Sequence, residues 1–222
     1  MPRTHKVCIG GVIRNAMVLN FKNARDEAMN ADSMLEQVDR LFALLDERGI
    51  EYVLVGGVAL LQYVEGRNTE DIDLIMASAS LDDLPEIEIA DREPHFARGH
   101  FGALRVDILL TDHPLFDKVR RVYATTQPFV ERDIPCATVE GLLLLKLHAL
   151  PSFYRQGNFA RVGLYENDVA TLLHDCEAEP EPLFEELAPH LSKSDMASLR
   201  DIVSEIRQRI ERFRNGQRNG PQ

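Results

Sequence analysis

The chain has 222 residues and a formal net charge of −11, with 45% hydrophobic and 27% charged residues. That length suits one domain, or one domain with a helical appendage, and the apolar share excludes wholesale disorder. The acidic balance argues against wrapping duplex nucleic acid, and no apolar run approaches the roughly 18 residues of a membrane helix.

Cys8, Cys136 and Cys176 lie far apart, with no Cys-x-x-Cys. A scattered, odd set suits a reducing cytoplasm and buried thiols rather than a disulfide framework or a zinc site. Arg14 and Asn15 interrupt any signal-peptide core in the first 19 residues. Residues 1–31 lack periodicity and read as a poorly ordered extension, upstream of a later start such as Met29 or Met34.

Order begins at Ser33, where Ser33-Met-Leu-Glu36 has capping-box spacing. Leu35, Val38, Leu41, Phe42 and Leu45 then recur at helical intervals, and Gly49 stands where a left-handed helix end belongs. Tyr52-Val-Leu-Val55 is short and apolar on both faces, as a buried strand is. Gly56-Gly57 breaks it, a short helix follows over 58–63, and Gly66 with Asn68 marks a turn. Asp71-Ile-Asp-Leu-Ile-Met76 alternates before turning apolar, which predicts a strand with one functional end. Residues 77–99 are mixed and acidic and carry no firm period. A third strand is expected over 103–110 and a helix over 115–123. Thr138 opens a strongly apolar helix with Glu140 in its first turn, another helix covers about residues 165–174, and Glu177-Ala-Glu-Pro-Glu-Pro182 is a connector. The last helix carries Met196, Leu199, Ile202, Val203, Ile206, Ile210 and Phe213 on one stripe, and its end holds five arginines against Glu211. The order predicts an α+β class: a small mixed sheet flanked by helices over 32–135, a helical bundle over 136–214 and a flexible tail over 215–222.

The chemistry concentrates in Val55-Gly56-Gly57, a thirteen-residue gap, Asp71-Ile72-Asp73-Leu74, and later Val106-Asp107-Ile108. Side chains at i and i+2 share a strand face, so Asp71 and Asp73 project together while Ile72 and Leu74 turn inward. If the strand bearing Asp107 pairs beside them, three carboxylates converge and need a compensating cation. Hard divalent cations take oxygen ligands, and two ions about 3.5–4 Å apart would clamp a phosphoryl displacement. The alternative for Asp107 is a structural partner such as Arg105. Gly56 and Gly57, lacking side chains, admit a close backbone approach to phosphate. The seven histidines show no metal-ligand spacing.

This pattern resembles the DNA polymerase β-like nucleotidyltransferase superfamily, and more narrowly the AbiEii-type toxin branch of minimal nucleotidyltransferases. The resemblance runs from about residue 35 to 173. Val55-Gly-Gly-Val-Ala-Leu60 and Gly66-Arg67-x-Thr69-x-Asp71-Ile-Asp73 look like that branch's glycine and acidic motifs. The helix around Lys146 is similar to its lysine helix, and Arg161 with Asp168 resembles its following basic-then-acidic pair. Where the branch has Lys-Asp ahead of the final aspartate, this chain has Leu164-Tyr165.

The resemblance implies transfer of a nucleoside monophosphate from an NTP to an acceptor hydroxyl with release of pyrophosphate. Asp71, Asp73 and Asp107 would hold two Mg²⁺ or Mn²⁺ ions, with Asp107 also drawing the acceptor proton. Gly56, Gly57, Arg67, Thr69, Lys146 and Asp168 would form the nucleotide site, Lys146 also serving in catalysis. The implied role is a cytoplasmic toxin with an antitoxin partner, acting on RNA (tRNA) or protein and not on membranes. Two alternatives stand beside it: an antibiotic-type adenylyltransferase of small molecules, and a catalytically idle nucleotidyltransferase-fold interaction module.

Overall fold

The computed structural model describes residues 31–64, 71–129 and 132–218. The expected N-terminal extension, the turn at Gly66 and Asn68, and Arg67 with Thr69 lie outside those residues. The chain divides into two compact units, Met1–Thr138 and Val139–Gln222.

In the first unit α1 covers Ala31–Glu47, starting two residues before the expected capping box, so Ser33 lies within its first turn. Val38, Leu41, Phe42 and Leu45 are fully buried, as their spacing predicts. The helix ends at Gly49, whose φ of +61° permits a paired closure. The N–H of Ile50 donates to Leu45 O at 2.9 Å and that of Gly49 to Asp46 O at 3.0 Å. Phe42 stacks on Tyr52 and meets Phe129 edge-on, while Arg132 reaches back to Asp39 and Asp46, each at 3.0 Å. These contacts lay α1 against the sheet.

The sheet comprises β1 (Tyr52–Val55), β2 (Asp71–Met76), β3 (Ile87–Glu93), β4 (Phe96–Phe101), β5 (Leu104–Leu110), β6 (Ala124–Phe129) and β7 (Arg132–Ala137). Their spatial order is β3-β4-β5-β2-β1-β7-β6, with β2–β5 and β1–β7 parallel and the other pairs antiparallel. The short helix α2 (Gly56–Leu60) follows β1, and α3 (Pro114–Val122) follows β5. Three strands are as expected, but four others escape the apolar pattern. β3 is an edge strand whose residues after Ile87 are all exposed, so no alternation marks it. The β6–β7 hairpin carries Pro128 and Pro135, and β7 extends the sheet unit into residues 136 and 137.

The second unit is helical: α4 (Val139–Arg155), α5 (Phe159–Asp175), α6 (Glu181–Leu187) and α7 (Lys193–Arg218). Asn158 caps α5 by accepting from the Arg161 N–H, and Ser192 Oγ accepts from the Asp195 N–H at 3.1 Å. Along α7 Leu199, Val203 and Ile206 are buried, Ile210 is half-buried and Phe213 exposed, so the stripe fades toward the end. The helix nevertheless continues through Arg218, beyond the 214 boundary expected. Among the described residues no helix is long and apolar enough to cross a membrane.

Nothing lies within 4 Å of a Cβ added at Gly49, so only its backbone conformation resists a side chain. Gly49→Ala is therefore expected to cost about 1 kcal/mol, read as a lowered urea midpoint with unchanged slope. An unchanged midpoint would show that α1 does not depend on this closure.

Candidate functional site

Period-two alternation on β2 sends Ile72 and Leu74 into the core, both fully buried, and sets Asp71 and Asp73 on the opposite face. The parallel neighbour β5 places Asp107 opposite Asp73 and Arg105 opposite Asp71. On the other side of β5, β4 is antiparallel and sets Arg98 opposite Asp107 and His100 opposite Arg105. The edge strand β3 then sets Asp91 opposite Arg98. One cross-strand row thus runs Asp91, Arg98, Asp107, Asp73, and its neighbour runs His100, Arg105, Asp71.

Asp107 is only 5% exposed, and a carboxylate so withdrawn from water needs a partner of opposite charge. Arg98 supplies it with two hydrogen bonds, Nε to Oδ1 at 2.9 Å and Nη2 to Oδ2 at 3.3 Å. The guanidinium also lies 5.3 Å over the Phe96 ring. Its pKa is raised by hydrogen bonding to Asp107, and further by the charges of Asp107, Asp71 and Asp91. Asp71 forms an ion pair with Arg105. The sequence had named Arg105 as an alternative partner for Asp107; the register gives that place to Arg98 instead.

Asp73 is positioned from the other direction. Its register partner is Val55, and the chain turns immediately afterwards at Gly56, with φ of +65°. A Cβ at Gly56 would lie 2.6 Å from Asp73 Cβ and closer still to its carboxylate. Glycine is required there on both counts. The Gly57 N–H donates to Asp73 Oδ2 at 3.3 Å, so the glycine pair acts first on the aspartate. Gly56 and Gly57 form the first two residues of α2, whereas the sequence places them ahead of a helix beginning at Val58.

Asp71, Asp73, Asp107, Gly56 and Gly57 are therefore gathered on the sheet unit. Their donor set is carboxylate oxygen throughout, which suits a hard divalent cation. Among the described residues, however, no three Asp, Glu, His or Cys side chains stand ready as a metal cage. In this arrangement guanidiniums engage Asp71 and Asp107.

Lys146 and Asp168 come together within the helical unit. Lys146 Nζ lies 2.9 Å from Asp168 Oδ2 and 3.9 Å from the centre of the Tyr165 ring. Both residues are buried, at 5% and 1% exposure. Tyr165, one of the two residues that differ from the Lys-Asp of the motif it resembles, is thus a cation–π partner of the lysine. Arg161 lies 5.7 Å over Phe153, whose ring meets Tyr165 edge-on. Of the arginines on α7, Arg207 pairs with Glu179 at 2.7 Å, Arg209 with Glu166 at 3.8 Å, and Arg214 donates to His174 O at 3.0 Å.

Sequence reasoning missed Arg98. Its one signal is the spacing Phe96-x-Arg98-x-His100, a period of two inside the stretch that otherwise showed none.

No protein-family model matches the chain, and no curated protein does. The antibiotic-resistance factor ANT(2'')-Ia is similar in fold. Its crystal structure with adenylyl-2''-tobramycin aligns at TM-score 0.50 and 12% identity, covering 76% of this chain and 98% of that one. Its solution structure aligns at 0.50 and 12%, over 85% and 99%. An antigenic nucleotidyltransferase-like protein from Paracoccidioides brasiliensis aligns at 0.47 with 18% identity, over 76% of this chain and 92% of that one. At such identities the likeness is one of fold: a mixed sheet flanked by helices, as in ANT(2'')-Ia.

The Lys146–Asp168 pair gives a test of its own. Lys146→Met strands a buried carboxylate and is expected to cost about 3–5 kcal/mol, whereas Lys146→Met with Asp168→Leu should recover most of it. Urea unfolding of both variants decides the matter: equal losses would mean that the pair is not coupled.

Proposed function

We propose that this chain is a nucleotidyltransferase that moves a nucleoside monophosphate from an NTP to an acceptor hydroxyl. The carrying observation is the β2–β5 register, which sets Asp73 beside Asp107 with Asp71 on the same face. The fold likeness to ANT(2'')-Ia, solved in complex with adenylyl-2''-tobramycin, supports the same reaction class.

In this reading Asp71 and Asp73 would hold a Mg²⁺ or Mn²⁺ ion, and Asp107 would complete the set for a second. Such ions, when bound, neutralise the triphosphate and ease ionisation of the attacking hydroxyl. Asp107 takes the proton of the acceptor hydroxyl on a carboxylate oxygen. The acceptor oxygen forms its bond to the α-phosphorus as the bond to the β-phosphate oxygen breaks, and pyrophosphate leaves. Gly56 keeps the backbone bare for the Asp73 carboxylate, Gly57 orients the aspartate through its N–H, and the family resemblance gives the glycine pair its place in the nucleotide site. Arg67 and Thr69, just ahead of Asp71, belong to the nucleotide site in the same proposal. Lys146 and Asp168 keep, on the strength of the family resemblance, the nucleotide-binding role that it implies.

Resemblance to AbiEii-type toxins assigns the acceptor to RNA or protein, with an antitoxin as partner. Two observations favour a second reading, a small hydroxylated acceptor that is cationic. The net charge of −11 attracts cations, and three of the five arginines at the end of α7 that RNA would need are engaged with Glu179, Glu166 and the His174 carbonyl.

Incubation with each α-labelled NTP and, separately, total cellular RNA, cell lysate and an aminoglycoside panel tests both parts. Label should move to one acceptor class with pyrophosphate release. Asp71→Asn and Asp73→Asn should lower that transfer at least about 10²–10³-fold without unfolding the chain. Transfer near wild-type rate in either variant would refute the mechanism.

A further inference from the structure

We infer that Arg98 is a built-in counter-cation of Asp107, which a divalent ion displaces and which Asp91 on the edge strand then receives. The inference rests on the nucleotidyl-transfer reading and concerns how its metal site fills.

Asp107 is withdrawn from water and cannot stand alone as an anion, so a cation must accompany it whenever it is charged. Arg98 fills that role with a fork of two hydrogen bonds, one to each carboxylate oxygen. A metal ion at Asp107 needs those same oxygens. Guanidinium and metal therefore compete for one carboxylate.

The two members of the pair are not equally fixed. The Arg98 side chain is 37% exposed while that of Asp107 is 6%, so only the arginine can exchange protein contacts for water. It also has somewhere to go. Asp91 is its register partner on the far side, on an exposed edge strand, and its charge already contributes to the raised Arg98 pKa. The row Asp91, Arg98, Asp107 thus offers one guanidinium two carboxylates, an exposed one and a buried one. Arg105 is placed differently: its β4 neighbour is His100, and it holds Asp71 from the strand that carries Asp107. The β3–β4 register, which sequence reasoning left undefined, thereby becomes part of the metal site.

The test is Mn²⁺ binding to the full chain without nucleotide, followed by electron paramagnetic resonance of the free ion. Removing the competitor in Arg98→Gln should tighten binding about tenfold, the scale of a charge-assisted pair. Asp91→Asn removes the receiving carboxylate from an exposed position, leaves the Asp107 pair intact, and should weaken binding severalfold. Both effects should vanish when Asp107→Asn is added. Thermal melts confirm folding, and Arg98→Lys, a single donor in place of the fork, should fall between wild type and Arg98→Gln. Wild-type affinity in both Arg98→Gln and Asp91→Asn would overturn the inference and leave the transfer reading standing. Absence of Mn²⁺ binding in every variant would overturn the inference together with the metal dependence. Tighter binding in Arg98→Gln without transfer by the wild type to any acceptor would support the inference and sink the transfer reading.

Discussion

A carboxylate buried between strands must carry its counter-charge with it, and in this chain that requirement governs the order of the central sheet. Asp107 needs Arg98 on one side, so β4 must pair with β5 in the register that sets them opposite. It stands opposite Asp73 on the other side, so β2 must run parallel to β5 without slipping by a residue. A slip of one would turn every charge on this face into the core and bring Ile72, Leu74, Val106 and Ile108 out of it. Hydrophobic burial on one face and charge pairing on the other thus select the same alignment. Gly56 adds a steric condition, because Asp73 occupies the volume that a side chain there would need.

What the sequence made legible follows from which residues feel both faces of an element. β1 and β2 were predicted at their observed bounds, since each is buried and apolar for most of its length. The stripe of α1 was equally plain, because four of its apolar side chains are fully buried. β3 gave no period because an edge strand with exposed faces places no demand on its side chains. β6 and β7 were obscured by proline, which a short hairpin at the sheet margin tolerates and a central strand would not. The missing strands are those whose pairing is decided by neighbours rather than by their own residues.

The same distinction separates the site residues. Asp71, Asp73 and Asp107 stand out because each interrupts an apolar strand, where a charge demands a reason. Arg98 does not, since an arginine in a polar stretch resembles solvated surface until the register is known. Lys146 was read as a phosphate partner from its family likeness, and its packing adds a fact that no motif carries. It is closed over by Asp168 and the Tyr165 ring.

Among the described residues each unit therefore contains one buried carboxylate held by one cation, and the two pairs differ in freedom. Lys146 and Asp168 have side chains 6% and 1% exposed, so neither can leave without stranding the other in an apolar bundle. Arg98 and Asp107 divide the same roles unevenly, with a fixed anion and a cation in contact with water. A guanidinium on a flexible stem gives up such a contact at modest cost, because water and the neighbouring Asp91 can take it up. The fold thus keeps Asp107 paired and oriented before any ligand arrives, and leaves its partner replaceable.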